Sequence, residues 1–105
     1  MELFIFARFH ARPGNEEAVA ATLLEILPPT RQEPGCVSTH AFRSIQDPQL
    51  FYIHSRWKDK AAFDRHLDLA HTVRFVERVE PLLDHPLNAT RSVQIGLKRG
   101  GDARL

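Results

Sequence analysis

Two alternating runs of apolar and polar residues, 36–45 and 50–57, are separated only by Gln46-Asp47-Pro48-Gln49. A period of two sends successive side chains to opposite faces, so each run is predicted to be a strand. A connection this short, carrying an Asp-Pro turn signal, makes the two strands antiparallel neighbours. In the first strand Cys36, Ser38, His40 and Phe42 oppose Val37, Thr39, Ala41 and Arg43. In the second, Leu50, Tyr52, His54 and Arg56 oppose Phe51, Ile53, Ser55 and Trp57. An isolated hairpin is marginal in water, so the rest of the chain must complete the sheet.

Residues 2–11 supply another strand, with Leu3, Ile5, Ala7 and Phe9 on one side and Phe4, Phe6, Arg8 and His10 on the other. Pro13-Gly14 ends it, Asn15 is placed to cap a helix, and Glu16 and Glu17 suit that helix's positive first turn. Val19, Leu23, Ile26 and Leu27 form its apolar stripe, which Pro28-Pro29 is predicted to kink or end, with Pro29 able to start a short continuation through Gln32. Glu33-Pro34-Gly35 reads as a turn. A second helix is predicted from about 59 to 69, breaking or bending near His71 and resuming to Glu80 before Pro81. The last strand is predicted over 88–98, with Val93, Ile95 and Leu97 sharing a face. Residues 1–98 then form one domain, and 99–105 a mobile tail.

This order is the α+β, ferredoxin-like β-α-β-β-α-β arrangement: a four-stranded antiparallel sheet with its helices on one face. Helices on one face leave the other bare, yet Phe4, Phe6, Phe42 and Tyr52 suggest that apolar side chains project from both. A bare aromatic face predicts a homodimer in which a second copy covers it.

Composition excludes several function classes. With 43% apolar and 26% charged residues and a net charge of +1, the 105-residue chain is predicted to be a soluble single domain with no nucleic-acid partner. One cysteine, Cys36, rules out an internal disulfide and a CxxC site, fits a small buried apolar residue, and suits a reducing cytoplasm. No apolar run approaches the roughly twenty residues of a membrane span, so no membrane partner is expected. Six histidines raise the question of a metal. His66 and His71, however, are five apart and not at the spacing that aligns ligands on one helix face, and HExxH is absent; no metal is expected. Glycine-rich phosphate loops, dinucleotide fingerprints and the GxSxG elbow are absent too, so no cofactor is expected.

The strand-to-helix corner 51–75 concentrates the polar-aromatic chemistry. Helical periodicity puts Ala62, His66, Leu69 and Val73 on one arc, flanked by Phe63 and Ala70. His66 is then either a core imidazole bonded to a carboxylate or backbone carbonyl, or a ligand contact that carries a proton near neutral pH. Trp57 is either core or pocket wall. His10 and His40 are pocket or rim groups.

Arg12-Pro13-Gly14 after the first strand, Glu33-Pro34-Gly35-Cys36 before the second, Asp47-Pro48 in the hairpin, and Trp57 followed by Ala61, His66-Leu67, His71 and Phe75 resemble the antibiotic biosynthesis monooxygenase domain family and its small quinol monooxygenase-like members. The resemblance runs from about residue 2 to 97. It implies a dimeric α/β barrel with a pocket between sheet and helices in each subunit. It further implies a cofactor-independent monooxygenase in which a histidine deprotonates a small phenolic or quinol-type substrate that then reacts with O2. Catalytic roles are expected for His71 and His66, and substrate contacts for Trp57, His54, Phe63, Phe75 and His40. Two departures bear on this. Ser55 stands where relatives usually carry Glu two residues before the tryptophan, which questions a carboxylate-dependent proton path. Ala7 and Val76 stand where the haem-degrading branch has Asn and His, which disfavours haem. Alternatives on the same fold are a non-enzymatic module that binds an aromatic metabolite and a cofactor-free isomerase of a small carbonyl compound.

Overall fold

The computed structural model describes residues 1–96; the predicted tail, 99–105, and the end of the predicted last strand lie outside the described residues. The chain runs β1 (Leu3–His10), α1 (Glu16–Arg31), β2 (Cys36–Arg43), β3 (Leu50–Trp57), α2 (Lys60–Asp68), α3 (Ala70–Val79), a 3-10 turn (Glu80–Leu82) and β4 (Asn88–Ser92). The strands form one antiparallel sheet in the order β2-β3-β1-β4. This is the ferredoxin-like arrangement, with the second helix divided in two.

Strand parity decides what the helices cover. Ile5, Ala7 and Phe9 of β1 and Phe51, Ser55 and Trp57 of β3 are buried, while Phe6, Arg8, His54 and Arg56 between them are exposed. From α1 the predicted stripe Val19, Leu23, Ile26 and Leu27 is buried as well. Phe9, Leu23, Phe51, Val79 and Leu83 belong to one apolar cluster; Ile5, Trp57, Ala62 and Phe63 form a second. At the far end of β1, His10 is neither pocket nor rim. Its two ring nitrogens meet Asp84 (2.8 Å) and Asp47 (3.0 Å), which raises its pKa and ties the hairpin loop to the segment after the 3-10 turn.

Four details differ from the sequence reading. The register shifts between Cys36 and Ser38, so Cys36 pairs with Trp57 and packs with the second cluster instead of following the alternation of Ser38, His40 and Phe42. Pro28 and Pro29 do not break α1, which continues to Arg31. The N–H groups they lack would have bonded the carbonyls of Leu24 and Glu25, and both residues face solvent, where water replaces the bonds. The break in the second predicted helix falls at Leu69, two residues before the expected bend, in extended backbone (φ −72°, ψ 146°). Finally, β4 ends at Ser92: Val93 is half exposed and Ile95 is 88% exposed, so the alternation at 93 and 95 faces water and has no sheet to pack on.

Gly35 sits at a left-handed φ of +92° where a Cβ would lie 2.6 Å from the Ala62 Cβ, whereas Gly14 has the same φ and open space around it. Substituting alanine at Gly35 is expected to cost roughly 2–4 kcal/mol, from backbone strain plus overpacking against α2. Gly14→Ala is expected to cost about 1–2 kcal/mol, from the strain alone. Urea unfolding midpoints of the two variants measure the difference; equal shifts would show that α2 does not press on the turn.

Candidate active site

Asp59 caps α2 by accepting the Ala62 N–H at 2.8 Å, and the Lys58 N–H donates to the Gly35 carbonyl at 2.9 Å. Together with the close approach of Gly35 to Ala62, these bonds dock the first turn of α2 on the turn before β2. That turn carries Glu33. On one continuous helix His66 and His71 would point about 140° apart. The break at Leu69 redirects α3, and both rings reach the same carboxylate oxygen: His66 Nδ1 lies 2.7 Å and His71 Nε2 2.6 Å from Glu33 Oε2. Only 7% of the Glu33 side chain is exposed.

An ionised carboxylate only accepts, so both facing ring nitrogens carry hydrogen. The Thr72 hydroxyl lies 3.2 Å from the same Nδ1 of His66. His66 is thereby fixed as the tautomer whose Nε2 is a free base when the ring is neutral. Burial pushes its pKa down, the Glu33 carboxylate offsets this in part, and the net shift is downward. The ring is therefore neutral at pH 7.

His66 lines a cavity of ≈ 90 Å³ between the sheet and the helices. Its walls are mostly apolar, from Ile5, Phe9, Ile26, Ile53, Phe63 and Phe75 among others, and one wall is Trp57. Trp57 is wholly buried; its Nε1 donates to Ser55 Oγ at 3.0 Å and its ring lies 4.8 Å from that of His66. Phe63 packs 5.6 Å from Trp57 and 5.7 Å from His66. The two exposed lining residues, Leu67 and Ala89, mark the mouth. Beside it, Arg91 holds Asp64 at 2.8 Å and stacks on Phe63 at 5.0 Å. His71 lines a different and more polar hollow of ≈ 180 Å³, with Glu25, Arg74 and Arg78. The two imidazoles thus face separate spaces across one carboxylate.

Of the residues singled out in the sequence, Trp57, Phe63, Phe75 and His66 meet at the cavity, and His71 stands two hydrogen bonds behind it, across Glu33. His54 and His40 are elsewhere. With Trp57 turned toward the helices, parity turns His54 to the bare face of the sheet, and His40 pairs with it in register. There His54 is ringed by Phe6 and Phe42, each at 4.9 Å, and Tyr52 at 5.9 Å. Neither histidine touches the cavity. Glu33 escaped the sequence reading because Glu33-Pro34-Gly35 looked like turn chemistry alone. The signal that pointed to it was the need of a buried imidazole for a carboxylate partner.

Glu33, His66 and His71 bring three potential ligand atoms within 4.8 Å of one another, as do His10, Asp84 and His85. Separations of 2.6–2.7 Å are those of charge-assisted N–H···O bonds, and a cation at about 2.0–2.2 Å from each ligand would have to replace both shared hydrogens.

Removing the Glu33 charge removes what raises the His66 pKa and leaves burial unopposed. In Glu33→Gln the His66 ring is expected to titrate at still lower pH than in the wild type, and to lose its fixed tautomer. Two-dimensional NMR of the ring nitrogens during an acid titration measures both; an upward shift would contradict the electrostatic account.

Residues 3–78 match the antibiotic biosynthesis monooxygenase family. The chain is 31% identical over 86 residues to a Mycobacterium tuberculosis protein named "Putative monooxygenase Rv0793", covering 82% of this chain and 84% of that protein. The solved structure of Rv0793 superposes with a TM-score of 0.85, covering 90% of this chain and 96% of that one. A Pseudomonas aeruginosa structure, PA3566, superposes at 0.83 with 31% identity, covering 90% and 94%. The family match over most of the chain and the agreement in fold and sequence lead to one conclusion: the chain belongs to the antibiotic biosynthesis monooxygenase family.

Proposed function

We propose that the protein is a cofactor-independent monooxygenase of small phenolic or quinol-type aromatics, with His66 as the base. The observation that carries this reading is the orientation of His66: one ring nitrogen is held by a buried carboxylate, and the ring lines an apolar cavity walled by the chain's single tryptophan. A neutral Nε2 takes the proton of a ring hydroxyl. The resulting anion is electron-rich enough to reduce O2 directly, one electron at a time, and the two radicals combine in a new bond between oxygen and a ring carbon. Loss of water from the peroxide leaves a quinone. For a hydroquinone the balance is substrate plus O2 to hydroxyquinone plus water, with no further reductant.

Roles divide among the neighbours. Glu33 fixes the His66 tautomer and stabilises the imidazolium once formed. His71, the first expectation from sequence, supports that carboxylate from the far side and lines no part of the cavity. Trp57 and Phe63 orient the ring. The bare sheet face suits a second subunit: Phe6 is 43% and Phe42 47% exposed, and around His54 they form one aromatic patch. On this reading His54 and His40 belong to a dimer interface.

Oxygen uptake by the purified, metal-stripped protein over a panel of hydroquinones tests the activity; none dependent on the protein would reject it. His66→Ala is expected to lose turnover by about a hundredfold or more, and His71→Ala less. Because the His66 pKa is lowered, the acid limb of the rate profile is expected to have its midpoint below pH 6.5. A midpoint above 6.5 would point to another base. Sedimentation at micromolar concentration is expected to give a dimer that Phe42→Glu disrupts, and a wild-type monomer would remove the interface.

A further inference from the structure

Side chains from three separate segments converge at the end of β1, and none of them lines the cavity. His10 closes the strand, Asp47 belongs to the loop between β2 and β3, and Asp84 and His85 follow the 3-10 turn. Backbone pairing fixes the frame: Ala11 and Leu83 form an isolated antiparallel bridge, and the Asp84 N–H donates to the His10 carbonyl at 3.0 Å. On that frame Asp84 Oδ1 lies 2.8 Å from His10 Nδ1 and 2.6 Å from His85 Nδ1. The other nitrogen of His10, Nε2, lies 3.0 Å from Asp47 Oδ2, and Asp47 is itself held by accepting the Gln49 N–H at 3.0 Å.

A histidine that binds a metal through one nitrogen gives its other N–H to a carboxylate, which fixes the tautomer and strengthens the ligand. Asp47 stands where that partner belongs. With Nε2–H on Asp47, a neutral His10 turns its Nδ1 lone pair toward Asp84 and His85. Two carboxylates against two neutral imidazoles leave the cluster negative, although Arg8 offsets part of the charge on Asp47. Two imidazole nitrogens and a carboxylate oxygen suit Zn2+, with water completing a tetrahedron, whereas Mg2+ and Ca2+ call for oxygen ligands. Tetrahedral bonds of about 2.0–2.2 Å space ligand atoms roughly 3.3 Å apart, so Asp84 and the two rings must part by roughly 0.5–0.7 Å. Side chains open to water can do this: that of Asp84 is 27% and that of His85 65% exposed. Glu33, His66 and His71 lack that latitude, because Glu33 is enclosed and its two imidazoles share a single carboxylate.

We propose that His10, Asp84 and His85 form a Zn2+ site, with Asp47 orienting His10 from behind. The ion clips the hairpin loop and the segment after the 3-10 turn to the end of β1, and it is independent of the reaction proposed above.

The test is titration of the untagged, metal-stripped protein with ZnCl2 at mildly alkaline pH, where protons compete least for the ligands. Two-dimensional NMR follows the ring nitrogens of all six histidines. Saturation at one equivalent is expected, with the largest changes at Nδ1 of His10 and His85, and no such changes with MgCl2. The melting temperature should rise with Zn2+ concentration. Asp47→Asn is expected to weaken binding by roughly 10–100-fold, the effect of a lost orienting partner, and His85→Asn, which removes an exposed ligand, by at least as much. Because the rise in melting temperature is read against each variant's own metal-free value, a change in folding stability alone does not produce it. No saturable binding, shifts confined to His66 and His71 or to the cross-strand pair His40 and His54, or an affinity unchanged in either variant overturns the site.

Discussion

A buried carboxylate cannot remain charged without donors, and the Glu33 side chain obtains two from residues five apart in sequence. That requirement shapes the whole corner. A straight helix would carry His66 and His71 to different sides, so the chain interrupts its helix at Leu69 and restarts it in a new direction. The turn that bears Glu33 has to approach α2 closely, so a residue without a Cβ stands at Gly35 against Ala62. Removing either imidazole would leave the carboxylate short of a donor, which is more damaging than replacing the whole cluster by apolar groups. The cluster leaves one imidazole nitrogen of His66 without a partner among the described residues, on a ring that lines the cavity wall.

Much of this was legible in the chain. Strand parity along β1 and β3 sorted the side chains into two faces, because a period of two has only one alternative, and left open which face the helices cover. The same parity contained the correct place for His54, opposite Trp57; what it lacked was which side enclosed the cavity. Two features were not legible. The bulge at Cys36 comes from packing Cys36 and Trp57 together beneath α2, a tertiary demand without a local signature. The partnership of Glu33 with His66 spans 33 residues of sequence and depends on how the turn and the helix dock. Neither spacing nor composition encodes that distance.

The prolines of α1 illustrate how a broken local rule serves the site. Pro28-Pro29 ordinarily ends a helix, and a helix ended there would leave Thr30 and Arg31 in a loop. Because only solvent-facing carbonyls lose their partners, the helix survives one more turn. That turn places Thr30 in the cavity wall and lets Arg31 donate twice to the Thr39 carbonyl, at 2.8 and 3.2 Å, which fastens α1 to β2. Departures from local consistency are most informative where they carry polar groups inward, and here the residue after the prolines holds the unpaired buried hydroxyl.

The two faces of the sheet divide the remaining work, and the division has consequences for how such a chain can change. Residues of even number on β3 build an aromatic surface around His54, while those of odd number build the cavity around Trp57. A substitution on one face does not reach the other except through the backbone, so the cavity and the aromatic surface can change separately. A one-residue slip of β3 would destroy both at once, exchanging Trp57 and Ser55 for Arg56 and His54 at the cavity wall. The bond from Trp57 Nε1 to Ser55 Oγ ties two neighbours of the same face together and makes that slip still less favourable. A serine two residues before the tryptophan is therefore more than a missing carboxylate: it anchors the indole, while the carboxylate reaches the site from the turn before β2.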